Sequence, residues 1–253
     1  MLRTAGFCAL LLLSSAVTAQ PLRLCHDSAV NPKYEQSVTI GDNTVTGLHT
    51  VLTLHVLTKL GISFQLQSMP WIRCLHAVVK GDVDGAIGVG WTAERSQEMH
   101  FPLLPNGEPD PALALFFVNY FVYSHAQGNL QWDGQKFHQV KFGIAAPKGF
   151  VVAQMLQQLG VFNPLQVEID AAIKLTVNQR IDGFVQSRTV AEGQLAQSKD
   201  AKLIKRLEPV FFRQPLYLTF SKQAMQRDPT LLTTIWQTIP EVRTTATAPQ
   251  PSP

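Results

Sequence analysis

Apolar residues recur along the first third of the chain with two different periods. Leu22-Arg23-Leu24-Cys25 alternates as a short strand. A polar stretch from His26 to Thr46 follows, with turn signals at Asn31-Pro32 and Gly41-Asp42-Asn43. The spacing of Leu48, Leu52, Val56 and Leu60 predicts a helix over 47–60, ended by Gly61. Phe64 to Gln67 alternates again. Pro70 opens a second helix, Trp71 to Lys80, with Leu75, Val78 and Val79 inward and Gly81 closing it. Val83 to Val89 is nearly continuous in apolar residues, which suits a buried parallel strand.

The series then restarts. Val140 to Ala145 reads as a strand, Phe150 to Leu159 as a helix closed by Gly160, and Leu165 to Glu168 as a strand. Ala171 to Gln179 reads as a helix and Ile181 to Gln186 as a strand. The two series echo each other: Gly81-Asp82-Val83-Asp84-Gly85-Ala86-Ile87 resembles Gln179-Arg180-Ile181-Asp182-Gly183-Phe184-Val185. In both, an Asp-Gly pair stands where a helix hands over to an apolar strand.

Alternating strands and helices of this length predict an α/β protein of two lobes, each a mainly parallel sheet flanked by helices. Leu113 to Tyr123 and Leu216 to Phe220 are rich in strand formers and read as the crossings between them. Lobe 1 is expected at 20–112 plus 217–243 and lobe 2 at 124–212. Hinges fall at 113–123 and 213–216, near Tyr123 and Pro215. A last helix, with Asp228 as N-cap, Pro229 at N1 and Leu231 to Ile239 inward, packs back on lobe 1. A single continuous sheet through both halves would refute this division.

Composition narrows the setting. Arg3, the apolar run Leu10 to Leu13 and the small residues Val17-Thr18-Ala19 form a signal-peptide layout over 1–19, too short for a membrane span. The chain is thus expected in the periplasm, as a secreted monomer. Residues 244–253 lack large apolar side chains and are expected to be disordered. Hydrophobic content of 45% and charged content of 15% suit a globular core. The net charge of +3 is spread along the chain, without the basic block that nucleic acid requires. Cys8 lies in the leader, leaving Cys25 and Cys74; an even count in an oxidising compartment favours a disulfide over two buried thiols.

Catalytic patterns are missing from the sequence. There is no G-x-S-x-G elbow, P-loop or dinucleotide glycine fingerprint. The seven histidines are scattered, and His49 and His55, six apart, do not share a helix face. No metal and no cofactor are expected, and the chain reads as a binding protein rather than an enzyme.

Gly81-Asp82-Val83-Asp84-Gly85, Thr92-Ala93-Glu94-Arg95 and His100-Phe101-Pro102 carry a resemblance to the family-3 extracellular solute-binding proteins. These are the amino-acid-type periplasmic binding proteins of ABC transporters. Gly143 to Gly149 and Arg180-Ile181-Asp182 match in the second half, and Pro70-Trp71-Ile72-Arg73-Cys74-Leu75 is similar to a motif of one subgroup. The resemblance implies a two-lobed protein that captures a small carboxylate-bearing solute, amino-acid-like or an organic acid. It further implies delivery to a membrane permease; presentation of ligand to a sensor protein, or less readily enzymatic activity on the same fold, are the alternatives.

By the same resemblance Arg95 grips the ligand carboxylate, a role that suits a permanently charged, planar fork; otherwise it pairs with Glu94 or Glu98 on an exposed turn. Thr92 caps the short helix that presents it, and Gly88 and Gly90 allow close approach to the strand end. The family's second-lobe acid falls at Ser187, its first-helix acid near Thr50, and the hydroxyl residues after its second-lobe glycine at Phe150 and Val151. A ligand α-ammonium would therefore meet no acid at these positions. Tyr34, Trp71, Trp91 and Phe150 are aromatic candidates for the cleft wall; Trp71 and Trp91 suit lobe packing equally well.

Overall fold

The computed structural model describes residues 20–28, 37–40, 43–165 and 168–247. Lobe 1 opens with β1 (Leu22–Asp27), then a hairpin of β2 (Ser37–Ile40) and β3 (Asn43–Thr46) within the stretch that reads as a polar loop. The helix α1 (Leu48–Lys59), β4 (Phe64–Met69), α2 (Trp71–Lys80) and β5 (Gly85–Gly90) follow in the order the periodicity predicts. A short α3 (Ala93–Glu98) comes next, then a 3-10 turn at Pro111–Leu113 and β6 (Phe116–His125). Lobe 2 continues with β7 (Gln131–Trp132), β8 (Phe137–His138), β9 (Ile144–Ala145), α4 (Val151–Gln158), α5 (Ile169–Val177), β10 (Gly183–Ser187) and α6 (Arg188–Ala196). A long β11 (Ile204–Phe220), α7 (Lys222–Arg227) and α8 (Pro229–Thr247) complete the chain.

The main sheet has seven strands in the order β4-β1-β5-β11-β6-β10-β9. The strands of the α/β series pair in parallel: β1 with β4 and β5, and β9 with β10. Antiparallel pairing comes from β6 and β11, the two strands that cross between lobes. The ladder therefore runs unbroken through both halves, against the expectation of two separate sheets. The reason is that β11 is long enough to serve both: Leu216–Phe220 pair with β5, while Ile204–Leu207 pair with β6 opposite Val122–His125.

The cores nonetheless separate. Two clusters, one on each side of the sheet, draw on residues 22–116 and 217–242; Leu24, Leu54, Leu57, Phe220 and Trp236 belong to one, Cys25, Cys74, Val78, Val89 and Tyr217 to the other. Two further clusters draw on 118–212, around Val122, Ile144, Val152 and Leu156 and around Tyr123, Ile173 and Phe184. Buried apolar side chains are what make each unit cooperative. The molecule is two-lobed in its core: among the described residues no such cluster spans Phe117 or Arg213–Pro215.

Two local readings need correction. The strand expected at Leu165 to Glu168 does not form at its described ends, Leu165 and Glu168; a single bridge between Phe162 and Ile144 takes its place, because Pro164 cannot donate to a ladder. The last helix runs to Thr247, so residues 244–247, expected to be disordered, are helical. Its stripe continues through Val242, and Arg243 donates to the carbonyls of Ala112 and Ala114, which fixes the final turns. The leader 1–19, Tyr34 and the tail beyond Thr247 lie outside the described residues.

Cys25 and Cys74 form a disulfide between β1 and α2, with both residues fully buried. It closes a loop with a sequence separation of 49, worth about 3–4 kcal/mol on chain-entropy grounds. Asp228 caps α8 as expected, its Oδ1 accepting the Leu231 N–H at 2.9 Å.

Candidate functional site

In open α/β sheets ligands meet the carboxyl ends of the parallel strands. In lobe 1 that edge is where β5 ends at Gly90 and passes through Trp91 and Thr92 into α3. Thr92 adopts an extended conformation and its Oγ1 accepts the Arg95 N–H at 3.2 Å, the cap that aims this one-and-a-half-turn helix. Arg95 is thereby held half-buried, pointing back over the strand end.

The guanidinium ties the lobes together. One NH2 group of Arg95 donates to the Gly90 carbonyl at 2.7 Å, in lobe 1. The other donates to the Gly149 carbonyl, in lobe 2. The same carbonyl accepts Trp71 Nε1 at 3.4 Å, and the Trp71 ring meets the edge of Phe150 at 6.1 Å. Gly149 has φ of +75°, and a side-chain carbon there would fall 2.2 Å from Ile72 Cδ1, so the seam closes only over a glycine. On the hinge side, a side-chain carbon on Gly90 would meet Gln214 Nε2 at 1.8 Å and Val151 at 3.1 Å.

Arg95 forms no ion pair with Glu94 or Glu98, both exposed, which removes the surface-turn alternative. Burial draws its guanidinium below the ordinary arginine value, with the nearby Tyr120 phenol acting in the opposite direction. Tyr120 is itself buried, and its phenol is raised by burial, with Arg95 opposing. The result is a desolvated cation whose acceptors at this seam are two neutral carbonyls. Two of its five N–H donors are so used, and none of the described residues accepts from the other three.

Ser187 stands opposite Tyr120 in the β10–β6 ladder, so both side chains leave the same face of the sheet. It begins α6 without capping it through its hydroxyl, while its N–H donates to Gln186 Oε1 at 2.8 Å. Thus Arg95, Thr92, Gly90, Trp71 and Phe150 are brought together, with Ser187 one residue pair away behind Tyr120. Trp91 sits differently: it packs against the lobe 1 core, and among the described residues its buried Nε1 finds no acceptor.

Gly149, Gln214, Tyr120 and Ile72 belong to the same seam and were not singled out by sequence as contacts. Gly149 carried a signal, as the glycine closing the Gly143–Gly149 match. The others are ordinary hinge or helix residues until the lobes meet. A groove of about 320 Å³ lined by Ile72, Arg73, His76, Ala77, Lys80 and Asp82 lies on the outer side of α2 and shares only Ile72 with the seam. Among the described residues, no group of three or more His, Cys, Asp or Glu could hold a metal. No helix among them is long and apolar enough to cross a membrane.

No family model matches the chain, and no curated protein matches it. Solved structures do. The substrate-binding protein of an amino acid ABC transporter superposes with a TM-score of 0.65 at 20% identity, over 89% of this chain and 94% of that one. The arginine-, lysine-, histidine-binding protein ArtJ from Geobacillus stearothermophilus gives 0.65 at 16% identity, over 90% and 91%. A histidine kinase sensor domain with similarity to periplasmic binding proteins gives 0.63 at 14%, over 90% and 92%. The chain has the two-lobed fold of the periplasmic binding proteins. At these identities the likeness is one of fold.

Proposed function

We propose that this chain is a periplasmic solute-binding protein that captures a small carboxylate-bearing solute between its lobes and delivers it to the permease of an ABC transporter. The observation that carries the reading is the half-buried Arg95 guanidinium at the interlobe seam, desolvated and, among the described residues, in no ion pair with a carboxylate. A cation placed so is costly unless an anion completes it. A ligand carboxylate would take the fork bidentately, with Thr92 fixing α3, Gly90 and Gly149 giving backbone access, and Trp71 and Phe150 walling the two sides. Ser187 completes the proposed wall on the lobe 2 side. Neutral Ser187 supplies no charge for an α-ammonium, so deaminated acids should bind at least as well as amino acids.

In this reading the lobes are 20–112 with 217–243 and 124–212, and hinge motion resides where the core clusters change hands, around Phe117 and Arg213–Pro215. The protein acts as a monomer behind a cleaved leader, and the buried disulfide suits an oxidising compartment. A sensing role is the second reading, favoured by the likeness to a kinase sensor domain; a permease and ATPase encoded beside this gene would support transport, and a lone sensor gene would support sensing. The test is a thermal-shift screen of the purified protein against amino acids, organic acids and aromatic acids, repeated on Arg95→Ala. Ligands that bind the folded state raise its melting temperature. Carboxylates should stabilise the parent and not the variant; equal shifts in both would defeat the proposal.

A further inference from the structure

The outer flank of α2, away from the cleft, carries a surface of its own. Arg73, His76, Ala77 and Lys80 fall within one stripe of the helix, because positions three, four and seven apart share a face. The opposite side is the one that buries Cys74 and Val78. Along the stripe runs the groove of about 320 Å³, with Ile72 and Ala77 as its apolar lining, three basic side chains and one acid, Asp82. Ile72 alone is shared with the seam, where its Cδ1 lies toward Gly149.

The fold gathers here charge that the sequence scatters. Arg73, Lys80 and Asp82 are exposed, and among the described residues neither Arg73 nor Lys80 enters an ion pair. Beside them the Arg23 guanidinium donates to the carbonyls of Gly81 and Asp82, where α2 ends. Arg23 and Arg227 in turn share one carboxylate, Asp84, each at 3.1 Å. Four cations thus stand against two carboxylates, an excess of two, in a chain whose formal net charge is +3. Most of the net charge of the protein lies on this one flank.

The shape of the surface selects the kind of anion. A bilayer of acidic lipid is flat; it would leave the recessed Ile72–Ala77 floor unfilled and repel Asp82. A protein segment can set an apolar side chain on that floor, bring acids to Arg73 and Lys80, and leave Asp82 in water. Arg73 and Lys80 are seven residues apart, about 10 Å along the helix axis, the spacing of two acids seven positions apart on a partner helix.

We propose that the outer groove of α2 docks an acidic, amphipathic segment of a protein partner, its carboxylates meeting Arg73 and Lys80 and an apolar side chain between them resting on Ile72 and Ala77. Exposed ion pairs are individually weak and screened by salt, so the contact is a transient one.

The test is fluorescence anisotropy with three labelled, alanine-based helical peptides. The first carries two glutamates seven positions apart, with a leucine four positions after the first glutamate. The second has serine for that leucine, and the third has lysines for the glutamates. The first should bind, the second about three- to ten-fold more weakly, and the third not at all. Arg73→Ser with Lys80→Ser should weaken the first peptide about three- to ten-fold. Lys174→Ser with Lys199→Ser, an equal loss of exposed charge on lobe 2, should change it by less than about two-fold. Thermal unfolding of both double variants verifies that each folds as the parent does. Failure of the first peptide to bind, equal binding of the second or third, or equal weakening in the two double variants overturns the docking groove. So does adsorption to phosphatidylglycerol vesicles that depends on Arg73 and Lys80 and is tighter than peptide binding, which would assign this charge to a lipid surface.

Discussion

Asp84-Gly85 and Asp182-Gly183 occupy the same point in the two lobes, and they do the same work with different reinforcement. In each, the aspartate N–H donates to the carbonyl of the neighbouring parallel strand, Arg23 in lobe 1 at 2.7 Å and Gly143 in lobe 2 at 3.0 Å. Each carboxylate accepts backbone N–H groups from that same segment: Arg23 for Asp84, and Lys141, Phe142 and Gly143 for Asp182. Each glycine lets a crossing strand come close. A side-chain carbon on either would fall 2.4 Å from a carbonyl oxygen, that of Thr219 in β11 for Gly85 and of Tyr123 in β6 for Gly183. The corner is thus the joint that fastens each lobe to its hinge strand.

The difference lies in what surrounds it. Asp84 is buried and also paired with the side chains of Arg23 and Arg227, each at 3.1 Å. Lobe 1 further carries the disulfide and the long α8, whose Leu232, Ile235, Trp236 and Ile239 close its core. Asp182 is half-buried and holds backbone alone. Lobe 1 is accordingly the firmer body and lobe 2 the one expected to open first, since local stability follows buried contact.

The largest expected effect tests that asymmetry. Replacing both Cys25 and Cys74 by alanine should cost about 3–4 kcal/mol in denaturant unfolding. Hydrogen exchange should show the loss in lobe 1 while lobe 2 amides keep their rates; equal loss in both would mean that the lobes unfold as one unit. The glycines come next. Gly85→Ala and Gly183→Ala should each cost about 2–3 kcal/mol, because a backbone carbonyl must move in both cases. Costs that differ by more than about 1 kcal/mol would show that the two corners are not equivalent joints.

The carboxylates should separate the corners. Asp84→Ala is expected to cost about 2–3 kcal/mol, a figure already discounted because the Arg23 and Arg227 side chains are 38% and 51% exposed. Asp182→Ala should cost about 1–2 kcal/mol. Burial by itself raises the Asp84 carboxyl, but the Arg23 side chain and N–H, with Arg227, outweigh it and hold it below the ordinary value. Its contribution is then complete above the unfolded carboxylate value of about 3.9 and fades as pH falls through the folded value. Unfolding measured from pH 6 downward should steepen below about pH 4 in the parent and less so in Asp84→Asn.

The echo of these corners was legible in the sequence because a shared turn leaves a shared Asp-Gly signature. Helices with a strong apolar stripe were legible too, α2 to the residue. The long β11 was not. Pro209 and Pro215 interrupt it, and proline argues against a strand unless the missing N–H faces away from a partner. Helix α6 went unread because Ala191 is its one fully buried residue and the rest carry little period. At the site, Arg95 and Thr92 could be found because their relation is local, three residues apart on one turn. The partners Gly149, Gln214 and Tyr120 come from other segments, and only the meeting of two lobes makes them neighbours.

The central claim, that Arg95 anchors a carboxylate across that seam, is tested most directly by calorimetry of the tightest carboxylate found, on Arg95→Ala beside Ser187→Ala. Removing the guanidinium should weaken binding by about 2 kcal/mol or more, at least roughly thirty-fold. Removing the hydroxyl should cost about 0.5–1.5 kcal/mol, at most roughly ten-fold. Binding that survives Arg95→Ala, or that falls further in Ser187→Ala, would contradict the account.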